Sequence, residues 1–255
     1  PLTMTAQEQN SIHNTASTTN RYTLEYENPE QLFRHSFVAD WYIIDKTRNT
    51  RKQLGAALNL GKVRDAVLSP NGRYIAFAKE NNLYIHKLDF GTEVAVTKDK
   101  DTNIINGIAD WLYEEEFGVT TLFAWSSDSK QLAFIRLDET QVPAFEWQTF
   151  LGSSTNEMPN SYPQYPAATS LRYPKAGCAN AQASVCVYDV ATKAIVNMQV
   201  NKDQEDVYFP RIRWAADALL VMRLNRDQTK MEILSCNPKS TITHPLYKEE
   251  SKKYF

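Results

Sequence analysis

"LSPNGRYIAFA" (residues 68–78) and "WSSDSKQLAFI" (residues 125–135) share one design: the end of a first strand, a polar turn, and an apolar second strand. A third stretch, "WAADALLVMRL" (residues 214–224), follows the same plan at an unequal interval. Apolar runs rich in β-branched and aromatic residues and bounded by turn residues are strand signals, whereas stripes with a 3.6-residue period are scarce in this chain. Each copy is followed by what resembles an outer hairpin: "NNLYIHKLDFGTEVAVT", "SVCVYDVATKAIVNMQV" and "KMEILSCNPKSTIT". A fourth hairpin of this kind, "FVADWYIIDKTRNTRKQL", lacks an inner pair before it, and upstream "RYTLEYEN" places Tyr22, Leu24 and Tyr26 on one strand face.

Repeating four-stranded units in which each covers its neighbour's apolar face build a β-propeller. The predicted fold is therefore all-β, with propeller blades of four antiparallel strands. Three to four blades can be counted against the ~4–8 of a closed ring, so the expectation is part of a larger propeller. It is placed at residues 31–255, with residues 1–30 set apart as an N-terminal segment.

Two insertions interrupt the blades. One is "NGIADWLYEEEFG" (residues 106–118), an expected short acidic helical segment between an outer strand and the next inner strand. The other, residues 138–183, holds Pro143, Pro159, Pro163, Pro166 and Pro174. So long an irregular connection inside a domain is more often functional than accidental.

A chain of 255 residues with 42% hydrophobic and 23% charged residues can bury a sizeable core. The formal net charge of -2 offers no basic excess for phosphate neutralisation, which argues against a nucleic-acid partner. No apolar run approaches the roughly 20 residues of a membrane-spanning helix. The opening "PLTMTAQEQNSIHNTASTTN" has no signal-peptide pattern. Cys178, Cys186 and Cys236 lack metal or redox spacing and read as isolated thiols, with a Cys178–Cys186 bridge as the alternative.

Several chemistries are missing from the pattern. No two glycines stand four apart, as a serine nucleophile elbow needs, or two apart, as dinucleotide loops need. His13, His35, His86 and His244 form no zinc helix, so neither a metal nor a cofactor is expected. Glu114, Glu115 and Glu116 remain. A charge run is ordinarily solvated. Here Trp111, Tyr113 and Phe117 flank it, and such aromatics can pack a helical turn onto the propeller while its acidic side faces a cavity, where paired carboxylates suit an ammonium group.

At these residues the chain resembles the dipeptidyl peptidase IV family of serine exopeptidases, in a bacterial-type form. "DWLYEEEFG" is similar to the family's D-W-x-Y-E-E-E signature, and "VPAFEW", "YPKAG" and "FRHS" stand where the family has related motifs. The resemblance covers roughly residues 30–245. It implies an eight-bladed propeller joined to an α/β-hydrolase domain with a Ser-Asp-His triad, which is absent from this chain, so no catalytic residue is assigned here. It implies removal of X-Pro or X-Ala dipeptides from free N-termini. By that likeness Glu115 and Glu116 would bind the substrate ammonium, and Arg34 the substrate backbone carbonyl. The insertion, at about residues 140–177, would be a homodimerisation arm, and the location periplasmic or extracellular. A non-catalytic propeller that binds a protein partner or another cationic ligand is the alternative.

Overall fold

The computed structural model describes residues 21–149, 166–201, 203 and 205–255. Among these the strands form four successive sheets and a separate two-stranded arm. The first sheet, β1 (Tyr22–Gln31), β2 (Phe37–Asp45) and β3 (Thr50–Gln53), takes its first strand from residues that the sequence reading set apart as an N-terminal segment. The second is β4 (Arg64–Leu68), β5 (Tyr74–Lys79), β6 (Asn82–Lys87) and β7 (Thr92–Ala95), a four-stranded antiparallel meander. The third contains β8 (Ile104–Asn106), β9 (Phe123–Trp125) and β10 (Gln131–Asp138), and continues beyond the arm strands β11 (Ala144–Thr149) and β12 (Ala167–Arg172) with β13 (Gln182–Asp189) and β14 (Ile195–Asn197). The fourth is β15 (Val207–Ala215), β16 (Ala218–Asn225), β17 (Lys230–Cys236) and β18 (Thr243–Glu250). The chain is all-β and its sheets form part of a propeller.

The repeated turn has a physical cause. Ser69 Oγ donates to Asn71 Oδ1 at 2.9 Å and accepts from Tyr74 N at 2.9 Å, and Asn71 Oδ1 also accepts from Arg73 N. In the next sheet Ser126 Oγ donates to Asp128 Oδ1 at 2.8 Å and accepts from Gln131 N at 2.9 Å, with Lys130 N on Asp128 Oδ1. Both turns satisfy their backbone donors with a serine hydroxyl and a side-chain Oδ1 two residues on, from Asn71 in the first and Asp128 in the second. They also touch, since Ser129 Oγ accepts from Asn71 N at 3.0 Å. The third copy turns more tightly: Ala215 pairs with Ala218, leaving a two-residue connection with Ala216 at φ 50°.

The core lies between sheets. On β5, Ile75 and Phe77 join Trp41, Ile43 and Val63 on one side, while Ala76 and Ala78 join the larger cluster with Leu132, Phe134 and Val185 on the other. The period-2 alternation of a strand thus feeds two interfaces at once. The tryptophans that open the later copies tie neighbouring sheets together: Trp125 Nε1 donates to Val67 O at 3.3 Å and Trp214 Nε1 to Ala124 O at 2.9 Å.

The acidic insertion leaves from within the third sheet's innermost row. Both β8 and β9 pair with β10, so the segment between them is an excursion from one interrupted strand position, not a connection that precedes it. Its neck is closed by Leu122 N on Gly107 O at 2.8 Å, an Ile108–Thr121 bridge, and Ala109 N on Thr120 O at 2.9 Å. Gly107 holds φ at 71°, and a Cβ there would stand 2.7 Å from the Cδ1 of fully buried Leu83. Gly107→Ala should therefore combine left-handed strain with overpacking and cost about 1–3 kcal/mol. A thermal melt should show Tm lowered by several degrees, and an unchanged Tm would remove the neck's constraint from the account.

Candidate recognition helix

Helix α1 (Trp111–Phe117) is short and strongly specified. Asp110 caps its first turn, with Oδ1 accepting from Tyr113 N at 2.7 Å, and Gly118 closes it at φ 61°. Its side chains engage three neighbours. Trp111 packs against Tyr173 at the root of the arm, with ring centroids 4.6 Å apart. Tyr113 and Phe117, one turn apart, make edge contacts with Tyr208 of the fourth sheet, and the buried Tyr113 hydroxyl accepts from Phe209 N at 2.9 Å. Arg211 Nη2 donates to Phe117 O at 3.0 Å at the helix's C-terminal end.

The glutamates have three different environments. Glu114 is 1% exposed, and its Oε1 accepts from His35 N at 2.6 Å and Ser36 N at 2.9 Å in the loop between β1 and β2. Glu115 pairs with Arg34, whose Nε donates to both carboxylate oxygens at 3.0 Å and whose Nη2 reaches Oε1 at 2.7 Å. The guanidinium holds the Glu115 carboxyl below the usual carboxylate range, with the hydrogen bond as the largest cause. Glu116 is exposed and has no hydrogen-bond or ion-pair partner among the described residues. Of the three residues singled out by sequence, Arg34 and Glu115 are thus in contact, and Glu116 follows on the same turn without touching either. The loop carrying Arg34 is itself tied by Gln31 Nε2 to Arg34 O at 3.0 Å and Leu32 N to Ser36 O at 2.9 Å.

Beneath the helix start lies a pair of carboxyls that no sequence pattern indicated, Asp110 and Glu139, at 6% and 8% exposure. Burial pushes the Glu139 carboxyl up to about 8, and the neighbouring Asp110 pushes it the same way while Arg172 opposes. Burial also raises Asp110, to about 6, against the lowering effect of the Tyr113 N–H and the hydrogen bond with Glu139. With Asp110 engaged as a cap, the shared proton resides on Glu139. Glu139 also marks the arm's departure, where its backbone N–H donates to Asn103 O and Arg172 Nη1 donates to Val142 O at 2.7 Å.

The arm hairpin, β11 with β12, is inserted between the paired strands β10 and β13. Val142 is buried at its root, whereas Phe145 and Trp147 stack together at 6.1 Å and are 46% and 40% exposed. Residues 150–165 of the expected arm lie outside the described residues. All three cysteines are free, which removes the Cys178–Cys186 bridge: Cys186 is buried on β13 and its Sγ donates to Asn197 Oδ1.

Comparison with known proteins places this arrangement. The sequence profile of the "Dipeptidyl peptidase IV (DPP IV) N-terminal region" matches residues 17–255. The crystal structure of Porphyromonas gingivalis dipeptidyl peptidase 4 superposes with a TM-score of 0.84 at 38% identity, over 93% of this chain and 32% of that one. Among curated sequences, the probable dipeptidyl-aminopeptidase B of Aspergillus niger is 33% identical over 216 residues, and that of Emericella nidulans 34% over 218. These alignments take in 83% and 84% of this chain and 24% of each relative, so the chain spans about a quarter of their length. The chain belongs to the dipeptidyl peptidase IV N-terminal region family.

The carboxyl pair makes stability depend on pH. Both groups hold protons more tightly when folded than in an unfolded chain, so the folded protein binds more protons between about pH 4 and pH 8. Their favourable contribution is complete below that window and is lost as pH rises through it. Glu139→Gln keeps a neutral hydrogen-bonding group. Relative to wild type, its Tm should improve from pH 5 to pH 8.5 by a few degrees, corresponding to on the order of 1 kcal/mol or more. A pH-independent difference in Tm would show that the pair does not share a proton.

Proposed function

We propose that this chain is the substrate-recognition propeller part of a dipeptidyl peptidase IV-like serine exopeptidase that releases X-Pro or X-Ala dipeptides from free peptide N-termini. The observation that carries this reading is the Arg34–Glu115 pair, with the exposed Glu116 beside it on the same helical turn. Two carboxylates and one guanidinium sum to a single negative charge, which complements one ammonium. A peptide amine is protonated near neutral pH and supplies three N–H donors, whereas an acylated one supplies neither the charge nor those donors. Arg34 can keep Glu115 and still offer Nη1, which has no protein partner among the described residues, to a peptide carbonyl. The recognition of a free terminus would then fix how many residues lie between it and the bond cleaved.

Bond cleavage is assigned to a C-terminal α/β-hydrolase domain of the full-length protein, in keeping with the resemblance, and the location to the periplasm or the extracellular space. In the full-length protein, Glu115→Ala and Glu116→Ala should each lower kcat/KM on a free-amine X-Pro substrate by about 30-fold or more. Arg34→Ala should also impair turnover. All three should leave the thermal melt close to wild type, since these side chains are at the surface. An N-acetylated substrate should be refused by wild type. Well-folded glutamate variants with undiminished kcat/KM would instead favour a propeller that binds a protein partner or another cationic ligand.

The arm at residues 140–177 is proposed to join two copies of the protein. Its exposed Phe145 and Trp147 form an apolar surface that burial in a homodimer would cover. Replacing both with Ser in the full-length protein should shift the mass measured by light scattering from dimer to monomer. A persistent dimer would place the interface elsewhere.

A further inference from the structure

We infer that Glu114, which the substrate cannot reach, is the positioning residue that holds Arg34 in register with Glu115. The inference rests on the reading of Arg34 and Glu115 as the amine-recognition pair. Its foundation is a match between two short stretches of chain. Glu114 grips the backbone of His35 and Ser36, and the next residue along the helix, Glu115, grips the side chain of the residue just before them, Arg34. One stretch supplies a backbone anchor and a side-chain anchor to the other, and together they fix both where the loop sits and where its guanidinium points.

The two anchors are of unequal strength. The side chains of Arg34 and Glu115 are 65% and 28% exposed, so water and salt screen their attraction, and such pairs on their own do little to hold a loop. Glu114 is 1% exposed, Ser36 is 3% exposed, and the bonds between them are shielded. Removal of the Glu114 carboxyl would leave two N–H groups without their acceptor, one of them buried, and that cost drives the loop to rearrange. Arg34 has no aromatic or carboxylate partner other than Glu115 among the described residues, so a moved backbone would carry its guanidinium away.

Burial also decides which kind of role Glu114 has. At 1% exposure it offers no oxygen to a peptide terminus, although its residue type is the same as that of its two neighbours. The order of function along Glu114-Glu115-Glu116 is then anchor, paired recognition group, and open recognition group.

The test uses the full-length protein and a chromogenic X-Pro substrate with a free amine. Glu114→Ala should lower kcat/KM by about 10- to 100-fold, the loss that follows displacement of a substrate-contacting group by roughly 1 Å. Glu114→Gln keeps an acceptor oxygen for the His35 and Ser36 N–H groups and should recover most of that loss, whereas a direct ammonium ligand would suffer as much from Gln as from Ala. Because Glu114 acts through Arg34, the Glu114→Ala/Arg34→Ala double variant should be no worse than Arg34→Ala alone. Hydrogen exchange supplies a readout apart from activity: the His35 and Ser36 amides should lose protection in Glu114→Ala and keep it in Glu114→Gln. If Glu114→Ala does not fold, Glu114→Asp, which draws the carboxyl back by one methylene, is measured in the same way.

The inference is overturned by unchanged kcat/KM in a folded Glu114→Ala or Glu114→Asp, by a Glu114→Gln loss equal to that of Ala, by losses that multiply with Arg34→Ala, or by unaltered amide protection. Wild-type protein that accepts acetylated and free substrates alike, or a fully active Arg34→Ala variant, would instead overturn the recognition reading. The exchange measurement still tests the anchor in that case.

Discussion

The two sheets of this chain that lie between neighbours, the second and the third, are covered on both faces, and the remaining architecture follows from that requirement. A strand such as β5 sends alternate side chains into two different interfaces, so neither neighbour can move without exposing apolar surface. Hydrophobic attraction has no direction, however, and cannot by itself set the rotation of one sheet against the next. The directional contacts are polar: the indole N–H groups of Trp125 and Trp214 on neighbouring carbonyls, and Ser129 Oγ on the Asn71 N–H of the adjoining turn. With the sheets fixed in this way, Arg34 and Glu115 meet although 81 residues of chain separate them.

The parts of the fold that could be read from sequence are those whose chemistry is local. The Ser-Pro-Asn and Ser-Ser-Asp turns satisfy their own backbone donors, so their signal sits within a few residues. The third copy, at Trp214, was recognisable by its tryptophan and apolar run although its turn is built differently. The division of the third sheet's inner strand was not recognisable, because β8 and β9 are three residues each and too short to show an alternation. Its cause lies in pairing with β10, a tertiary fact. Similarly, Asp110 and Glu139 come together only because the helix cap and the root of the arm leave the same sheet side by side. Family resemblance pointed to Glu115, Glu116 and Arg34, but nothing in three identical letters indicated which glutamate is buried.

Helix phase separates those three residues. Successive side chains on an α-helix are turned by about 100°, so a run of three cannot share one environment unless the surroundings are uniform. Asp110 fixes where the helix begins, and that choice directs Tyr113 and Phe117 toward Tyr208. Given those two positions, Glu114 turns inward to the loop after β1, Glu115 reaches the edge where Arg34 stands, and Glu116 faces out. A cap displaced by one residue would rotate the whole set and turn a different glutamate inward in place of Glu114. Asp110 shares a proton with the buried Glu139, so the residue that sets the phase is itself shielded from water. A helix of only two turns has too few backbone hydrogen bonds to hold its own register. The surroundings must impose it, and here a buried cap, an aromatic pair and one inward-facing glutamate do so from three sides.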